Sequence, residues 1–194
     1  SFHTRMYREH THLKNYQNAL SYIFNTVNAC TPTWNLPAFL QTHTKPTKEL
    51  FILIGSQKGL CGSFNATITH WIDKNLTTLQ GDDAHIIVLS KKVNEYLQGK
   101  GITKGKTLPE LKLISVDKLT HTILKAITNA DNGYTRVVVV ANCPKTFMSH
   151  EYKATQLIPF TAPEKTSNNT QFDYIQTHNP DLVLGTLVEM HLMY

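Results

Sequence analysis

The stretch 55–65 reads Gly-Ser-Gln-Lys-Gly-Leu-Cys-Gly-Ser-Phe-Asn, and it follows directly on the apolar segment 50–54. An apolar strand that enters a glycine-rich loop and then a helical pattern is typical of the first half of a βαβ unit. Loops of this kind often bind phosphate at the N-terminus of the following helix. The stretch therefore predicts an α/β fold. It also raises two hypotheses for function, a phosphate-binding protein and a protein with a mechanical role.

Strands and helices alternate through the middle of the chain. We predict strands at 49–54, 85–89, 136–141 and 152–159, and helices at 63–79, around 93–97 and at 115–130. The run Arg-Val-Val-Val-Val-Ala at 136–141 is continuously apolar after its arginine, as in parallel strands that are buried on both faces. The alternation predicts an open, doubly wound α/β sheet with helices on both faces. The region 99–109 is interpreted as a polar loop.

Both ends of the chain carry residues at alternating spacings of four and three, nearly all of them apolar. The N-terminal set begins at Phe2 and continues with Met6, Glu9, Leu13, Tyr16, Leu20, Ile23 and Val27, and the C-terminal set is Val183, Leu187, Met190 and Tyr194. A period of 3.5 residues is typical of a coiled-coil seam. Because neither pattern carries a helix start or stop signal at the chain end, we expect a longer polypeptide whose ends pair as an antiparallel coiled coil. The alternative is that both segments are core helices of a compact domain.

These patterns divide the chain into five segments. They are an N-terminal coiled-coil helix at 1–30, a proline-containing linker at 31–48, an α/β domain at 49–160, a connecting loop at 161–179 and the start of a C-terminal coiled-coil helix at 180–194. The composition, with 41% hydrophobic and 17% charged residues, is that of an ordinary globular protein. No stretch approaches the roughly 20 apolar residues of a membrane-spanning helix.

The glycine stretch departs from the two best-known nucleotide-binding motifs. A Walker A loop needs four residues between its glycines and a lysine next, but Gly55 and Gly59 are one residue too close and Leu60 follows. The glycines at 55, 59 and 62 also miss the Gly-x-Gly-x-x-Gly dinucleotide pattern. Nucleotide or phosphate binding therefore stays open only as an alternative.

Other chemistry finds little support in the sequence. Cys61 lies near a predicted helix N-terminus, where a thiol pKa falls, but neither His70 nor His85 is marked as its base, so a structural thiol is favoured. Three cysteines without a C-x-x-C pair argue against a zinc site or a disulfide scaffold and fit a reducing compartment. The net charge is +5, and its densest cluster consists of the lysines at 100, 104 and 106. This cluster lacks the interleaved aromatic residues of a surface that binds nucleic acid. We predict no catalytic residue and no metal ligand.

The segment 56–65 resembles the Ser-x-Lys/Arg-Gly-Leu-Cys-Gly segment of the γ subunit of rotary ATP synthases. Similar pieces follow in the same order, namely the strand 137–142, Lys145, Thr146 and Met148, the strand Gln156-Leu157-Ile158-Pro159, and Phe172-Asp173-Tyr174 with Asn179-Pro180-Asp181 and Leu187. The resemblance extends from about residue 13 to the end of the chain.

This resemblance implies a central rotor stalk of a proton-translocating F-type ATP synthase. In that family two long terminal helices form an antiparallel coiled coil inside a ring of catalytic subunits, and a Rossmann-like domain packs at its foot. The implied partners are the α and β subunits of the catalytic ring, the ε subunit and the c-ring, with no cofactor and no nucleic acid. The loop residues that are implied to contact the catalytic ring are Gln57, Lys58, Leu60 and Cys61.

The implied location is peripheral and without insertion into the membrane. It is the cytosolic face of a bacterial inner membrane, with the matrix face of the mitochondrial inner membrane as the alternative. Two other functions stay open: a small phosphate- or nucleotide-binding α/β protein that uses the glycine loop at 55–62, and a scaffold that dimerises through its heptads.

Overall fold

The computed structural model describes residues 2–29, 35, 48–56, 64–107, 116–128, 133–145, 150–159 and 179–193. Its elements are α1 (Phe2–Ala29), β1 (Glu49–Ile54), α2 (Phe64–Lys74), α3 (Leu76–Gln80), β2 (Ala84–Val88), α4 (Lys91–Gly99), β3 (Gly105–Thr107), α5 (Val116–Thr128), β4 (Arg136–Pro144), β5 (His150–Ile158) and α6 (Pro180–Met193). They fall into two compact units, one of residues 1–36 with 161–194 and one of residues 37–160.

The second unit is built on a mixed five-stranded sheet with the order β3-β2-β1-β4-β5. The four strands β1 to β4 run parallel to one another, and β5 pairs antiparallel with β4. The central strands β1 and β4 are the two apolar runs that the sequence singled out, and burial on both faces explains why their side chains do not alternate with polar ones.

The hydrophobic core of this unit lies between one face of the sheet and three helices. Phe51 and Leu53 of β1 pack in the same cluster as Ile68 and Ile72 of α2 and Leu97 of α4, and all five side chains are almost completely buried. Trp71 of α2 and Leu79 of α3 belong to the cluster as well. Since neighbouring strand residues point to opposite faces, the buried Leu50 and Ile52 lie on the other face of the sheet.

Two predictions for this unit need correction, and the direction of the last strand, which the sequence left open, is now defined. The segment 105–107, which we assigned to a polar loop, is the edge strand β3. The sequence does not reveal it, because an edge strand pairs through its backbone and Gly-Lys-Thr gives no apolar signal. The helix predicted at 63–79 is divided at Asn75, whose amide Nδ2 donates to the carbonyl of Trp71 at 2.8 Å. The last strand is antiparallel, so the sheet is mixed, because the five residues between β4 and β5 are too few for a helical crossover.

A charged contact at the surface ties α2 to α4. The carboxylate of Asp73 accepts hydrogen bonds from Nζ of Lys100 at 2.8 Å and from the hydroxyl of Tyr96 at 2.8 and 2.9 Å. The ammonium group of Lys100 also lies 5.2 Å from the centre of the Tyr96 ring. The hydrogen bonds from Lys100 and then Tyr96 lower the pKa of Asp73. The contact therefore favours one orientation of α4, the helix that begins beside the glycine stretch.

The first unit contains the two terminal helices, α1 and α6, which pack against each other. Leu20 and Phe24 of α1 are buried, as are Leu184, Leu187 and Val188 of α6. Two described members of the predicted N-terminal seam are more than a third exposed, Tyr16 at 37% and Ile23 at 44%. The buried face of α1 thus passes from position 20 to 24, the four-residue step of an ordinary α-helix, whereas a strict heptad places position 23 there.

The other predicted seam positions differ in how deeply their side chains are buried. Leu20 and Leu187 are buried, and Val27, Val183 and Met190 are half-buried. The side chains of Met6 and Leu13 lie outside the part of the chain that the structure describes, and so does Tyr194. Since α6 has 14 residues and α1 has 28, α6 can cover only part of the longer helix.

Candidate functional site

The glycine stretch begins at the carboxyl edge of the sheet, between its two central strands. Ile54, the last residue of β1, lies beside Ala141 of β4, so Gly55 and Ser56 emerge next to Asn142. In the sheet, β2 and then β3 follow β1 on one side, whereas β4 and then β5 follow it on the other. The strand order therefore reverses between β1 and β4. Ligand sites of open α/β sheets lie outside such a point.

The stretch 57–63 is held at both ends by a polar side chain. The backbone N–H of Ser56 donates to Oδ1 of Asn65 at 2.9 Å, and this bond links the end of β1 to the first turn of α2. Asn65 thereby links the residues on either side of the stretch 57–63. We call the six residues that fix these ends the loop-anchor cluster, and they are Ser56, Phe64, Asn65, Thr67, Ser90 and Asn142.

A second set of bonds joins α2 to β4. The hydroxyl of Thr67 donates to Oδ1 of Asn142, and Nδ2 of Asn142 donates to the carbonyl oxygen of Phe64. The Thr67 hydroxyl also lies 3.0 Å from that carbonyl oxygen. These groups are only partly exposed, so the bonds satisfy polar atoms that would otherwise lose water on folding. The first turn of α2 is therefore fixed against the carboxyl end of β4.

Ser90 joins the cluster to the next strand and helix. Its hydroxyl donates to the carbonyl oxygen of Ser56 at 2.6 Å and accepts from the backbone N–H of Val93 at 3.2 Å. The second bond is the usual N-cap of a helix, here α4. Ser90 is completely buried, and the two bonds use both the donor and an acceptor of its hydroxyl.

The four loop residues that the resemblance singled out, Gln57, Lys58, Leu60 and Cys61, lie outside the described residues. The structure describes the loop-anchor cluster, which joins the residues before and after them in the sequence, and sequence reasoning did not assign most of this cluster to a role. Two signals were available: Ser90 lies between an apolar strand and a helix, where a cap is expected, and Asn142 is the first polar residue after the apolar run of the predicted strand 136–141. Residues that are far apart in sequence meet there only because β1 and β4 are neighbours.

The cluster consists of neutral amides, hydroxyls and carbonyls that bond to one another. Such groups orient a segment but offer no nucleophile with an adjacent base. Within the described ranges, no group of three His, Cys, Asp or Glu side chains is placed to hold a metal ion. A membrane-crossing helix is likewise not found in the described part of the chain, since none of its helices combines the required length and apolar character.

We expect Asn65→Ala to loosen the beginning of the glycine stretch. The substitution removes the acceptor of the Ser56 N–H and should lower the free energy of unfolding by about 0.5–1.5 kcal/mol. Amide hydrogen exchange should be faster at Ser56. Asn65→Asp keeps an oxygen in the same place and is the matched control, with stability near that of the parent chain. Equal exchange at Ser56 in the parent and Asn65→Ala would contradict the anchoring role of this bond.

Comparison with known proteins identifies a family for this sequence. Residues 3–194 match the family model described as ATP synthase. The chain belongs to this family. A relative named ATP synthase gamma chain from Chlorobium phaeobacteroides is 30% identical over 157 residues, which cover 74% of this chain and 52% of the relative. A second gamma chain, from Amoebophilus asiaticus, is 27% identical over 187 residues, which cover 93% of this chain and 63% of the relative. The chain thus spans about half to three fifths of the length of these relatives.

A solved structure supports the fold. A chain in the central stalk and c-ring structure of the mitochondrial ATP synthase of Tetrahymena thermophila aligns with 98% of this chain and 83% of its own length. The TM-score is 0.59 and the sequence identity is 19%. At this identity the likeness concerns the fold: a mixed α/β sheet with helices, as in a chain from an ATP synthase central stalk.

Proposed function

We propose that this chain is part of the rotor of an F-type ATP synthase, where it transmits rotation from the membrane ring to the catalytic subunits and catalyses no reaction itself. The observation that carries the proposal is the packing of α1 on α6, elements from opposite ends of the sequence that form one compact unit. The gamma chains to which the sequence is related support it. A rotor must resist twisting, and two helices with a shared apolar face are stiffer than one.

The helix pair is proposed to be a segment of an antiparallel coiled coil. Leu20 and Leu187 are buried members of the two apolar patterns, which supports this geometry for the part of α1 that α6 covers. The seam would continue through Leu13 and Met6 along the remainder of α1. Tyr16 and Ile23, which are exposed in the chain alone, would meet further partner surface in the assembled enzyme.

The α/β unit is proposed to be a Rossmann-like domain. The strand order β3-β2-β1-β4-β5 corresponds to the first five strands of the doubly wound order 3-2-1-4-5-6, with β5 antiparallel to its neighbour. The loop at its carboxyl edge would then contact the α and β subunits through Gln57, Lys58, Leu60 and Cys61. Fixed loop ends suit this role, because a contact that passes on torque needs a rigid base. We assign the ε subunit and the c-ring as further partners and a peripheral position at the membrane.

The test is co-expression of the chain with the α and β subunits of its source, followed by native mass spectrometry. We expect an assembly with three copies of each large subunit and one copy of this chain. Lys58→Glu should reduce the recovered assembly roughly tenfold, because a reversed charge at a contact is repelled where the original was attracted. Lys153→Glu is the matched control, since Lys153 is an exposed lysine on β5, and it should assemble like the parent.

The competing function, phosphate or nucleotide binding by the glycine stretch, predicts a different result. The chain alone would then bind ADP in the micromolar range by calorimetry, and Lys58→Glu would abolish that binding. The structure gives this alternative little support, because the described polar groups beside the loop bond to one another. ADP binding by the chain alone, with no assembly in the co-expression, would overturn the rotor proposal.

A further inference from the structure

A cavity of about 380 Å³ lies toward the amino edge of the sheet, away from the loop-anchor cluster. The strand register explains which side chains lie at its base. Leu50 of β1 lies beside His85 of β2, and Ile87 of β2 lies beside Lys106 of β3. Because residues two apart along a strand share a face, these side chains and that of Lys104 lie on the same side of the sheet. Tyr134, ahead of β4, and Ala126 of α5 complete the wall.

The charged groups around this cavity are mostly positive. Lys104 and Lys106 line it, with Asp82 as the opposing charge. Nζ of Lys104 donates to the carbonyl of Gly81, and an ammonium group has three protons, so further bonds remain open to it. Lys48 lies just outside, with its ammonium group 5.7 Å from the centre of the Tyr134 ring. A small anion that enters the cavity would therefore meet several cations.

Burial and the same positive charges affect the pKa of His85. Partial burial lowers the pKa of its imidazole, the charges of Lys48 and Lys104 lower it further, and the charge of Asp83 acts in the opposite direction. A negative group in the cavity would offset these positive neighbours and favour the imidazolium form. The histidine thus lies where its charge would be linked to the occupancy of the cavity.

The rest of the cavity is apolar and aromatic. The rings of His85 and Tyr134 meet edge to face with their centres 5.4 Å apart, and the Tyr134 hydroxyl lies 3.3 Å from Nδ1 of His85. Burial raises the pKa of Tyr134, so its hydroxyl stays protonated and can donate a hydrogen bond. Leu50, Ile87 and Ala126 provide aliphatic surface. Pockets for small molecules combine such a surface with a few convergent polar groups.

We propose that this cavity binds a small organic anion, an acidic head group on a short apolar or aromatic body. The head group would lie between Lys104 and Lys106, within reach of His85. The body would lie on Leu50 and Ile87 beside the Tyr134 ring. Sulfonate, phosphate and carboxylate share the required head-group chemistry, and none of the residues that line the cavity belongs to the loop-anchor cluster.

The first test uses the whole chain and benzenesulfonate, a probe whose charge does not change between about pH 5 and 8, the range where histidines titrate. The His85 ring signal in the NMR spectrum is assigned by its loss in His85→Gln. We expect a saturable shift of that signal and a rise in the pKa of His85 on binding. Linkage then requires tighter binding as the pH falls through the raised pKa of the complex. Sulfate, the head group alone, and phenol, the neutral body, should each bind at least about tenfold more weakly.

The second test separates this site from general attraction to a basic protein. Lys106→Gln should weaken benzenesulfonate binding about tenfold, because a charge-assisted hydrogen bond is lost. Lys153→Gln removes an exposed lysine on β5, outside the cavity, and should leave the affinity unchanged. Thermal melting checks that both variants fold. No saturable shift at His85 in the parent chain, equal losses in the two variants, or equal binding of sulfate and benzenesulfonate would each overturn the proposal.

Discussion

Leu184→Asp is expected to separate the two terminal helices. Leu184 lies in the second turn of α6 and is 0% exposed, in the apolar face that α6 shares with α1. The substitution removes a buried aliphatic side chain and puts a carboxylate in its place without a described cation to pair with. The combined loss of packing and of hydration should lower the stability of the helix pair by at least about 3 kcal/mol. Far-UV circular dichroism should lose helical signal, and the backbone amides of α1 and α6 should exchange faster.

The matched control is Leu182→Asp, which makes the same chemical change two residues earlier in the same helix. Leu182 is 66% exposed, so its carboxylate stays in water. It also lies in the first turn of α6, where a negative charge interacts favourably with the helix dipole. We expect this variant to keep the helical signal of the parent. Equal loss in both variants would mean that the surface of α6, and not its buried face, determines the pairing.

The sequence predicts an element well when burial of its side chains stabilises it, and poorly when only backbone hydrogen bonds do. Strands β1 and β4 were predicted because their side chains are buried on both faces, which requires a continuous apolar run. Strand β3 was missed because an edge strand of Gly-Lys-Thr pairs through its backbone alone. The direction of β5 depends on the length of a connection, a property that the residues of the strand do not carry.

The loop-anchor cluster and the cavity show a second limit of sequence reasoning. The glycine stretch stands out as a motif, but Asn142 and Ser90, which bond to the residues at its two ends, come from β4 and from the N-cap of α4. His85, Lys106 and Tyr134 likewise share a cavity only because β1 to β4 adopt a particular register. Local patterns predict elements, whereas the contacts between elements follow from strand order.

The helix pair illustrates an intermediate case. The apolar spacing correctly marked both ends as helical, and α1 and α6 occupy most of the predicted segments. The residue next to Leu20 in the buried face is Phe24, which the heptad pattern left outside the seam. Periods of 3.5 and 3.6 residues differ by about 20° per heptad, so the spacing alone does not decide between adjacent positions over a short contact.

Gly55→Ala is the second substitution for which we expect a large effect. A methyl group at this buried position would lie 2.6 Å from Cγ2 of Val93 and 2.9 Å from Cβ of Ser90, both closer than real contacts allow. Val93 is completely buried, so it cannot turn away into solvent. The methyl group would push the first turn of α4 away from β1 and break the bond between Ser90 and Ser56. We expect unfolding in urea to show a loss of roughly 2–4 kcal/mol.

Gly99→Ala is the control for the general effect of replacing glycine. It lies at the end of α4, and a methyl group there would meet no atom within 4 Å. We expect unchanged stability or a gain of up to about 1 kcal/mol, because alanine loses less backbone entropy in a helix. Equal midpoints for Gly55→Ala and the parent chain would contradict the steric argument.

A double-mutant cycle identifies the contact that makes Gly55 necessary. Val93→Ala removes the γ-carbon that a methyl group at position 55 would strike, at the expense of a small cavity in the core. If the clash with Val93 dominates, Gly55→Ala should be less destabilising in the Val93→Ala background by about 0.5–2 kcal/mol. If the two effects simply add, the clash with Ser90 dominates. In that case Gly55→Ala acts through the cap of α4, and it should raise hydrogen exchange at Val93 as well as at the first residues of that helix.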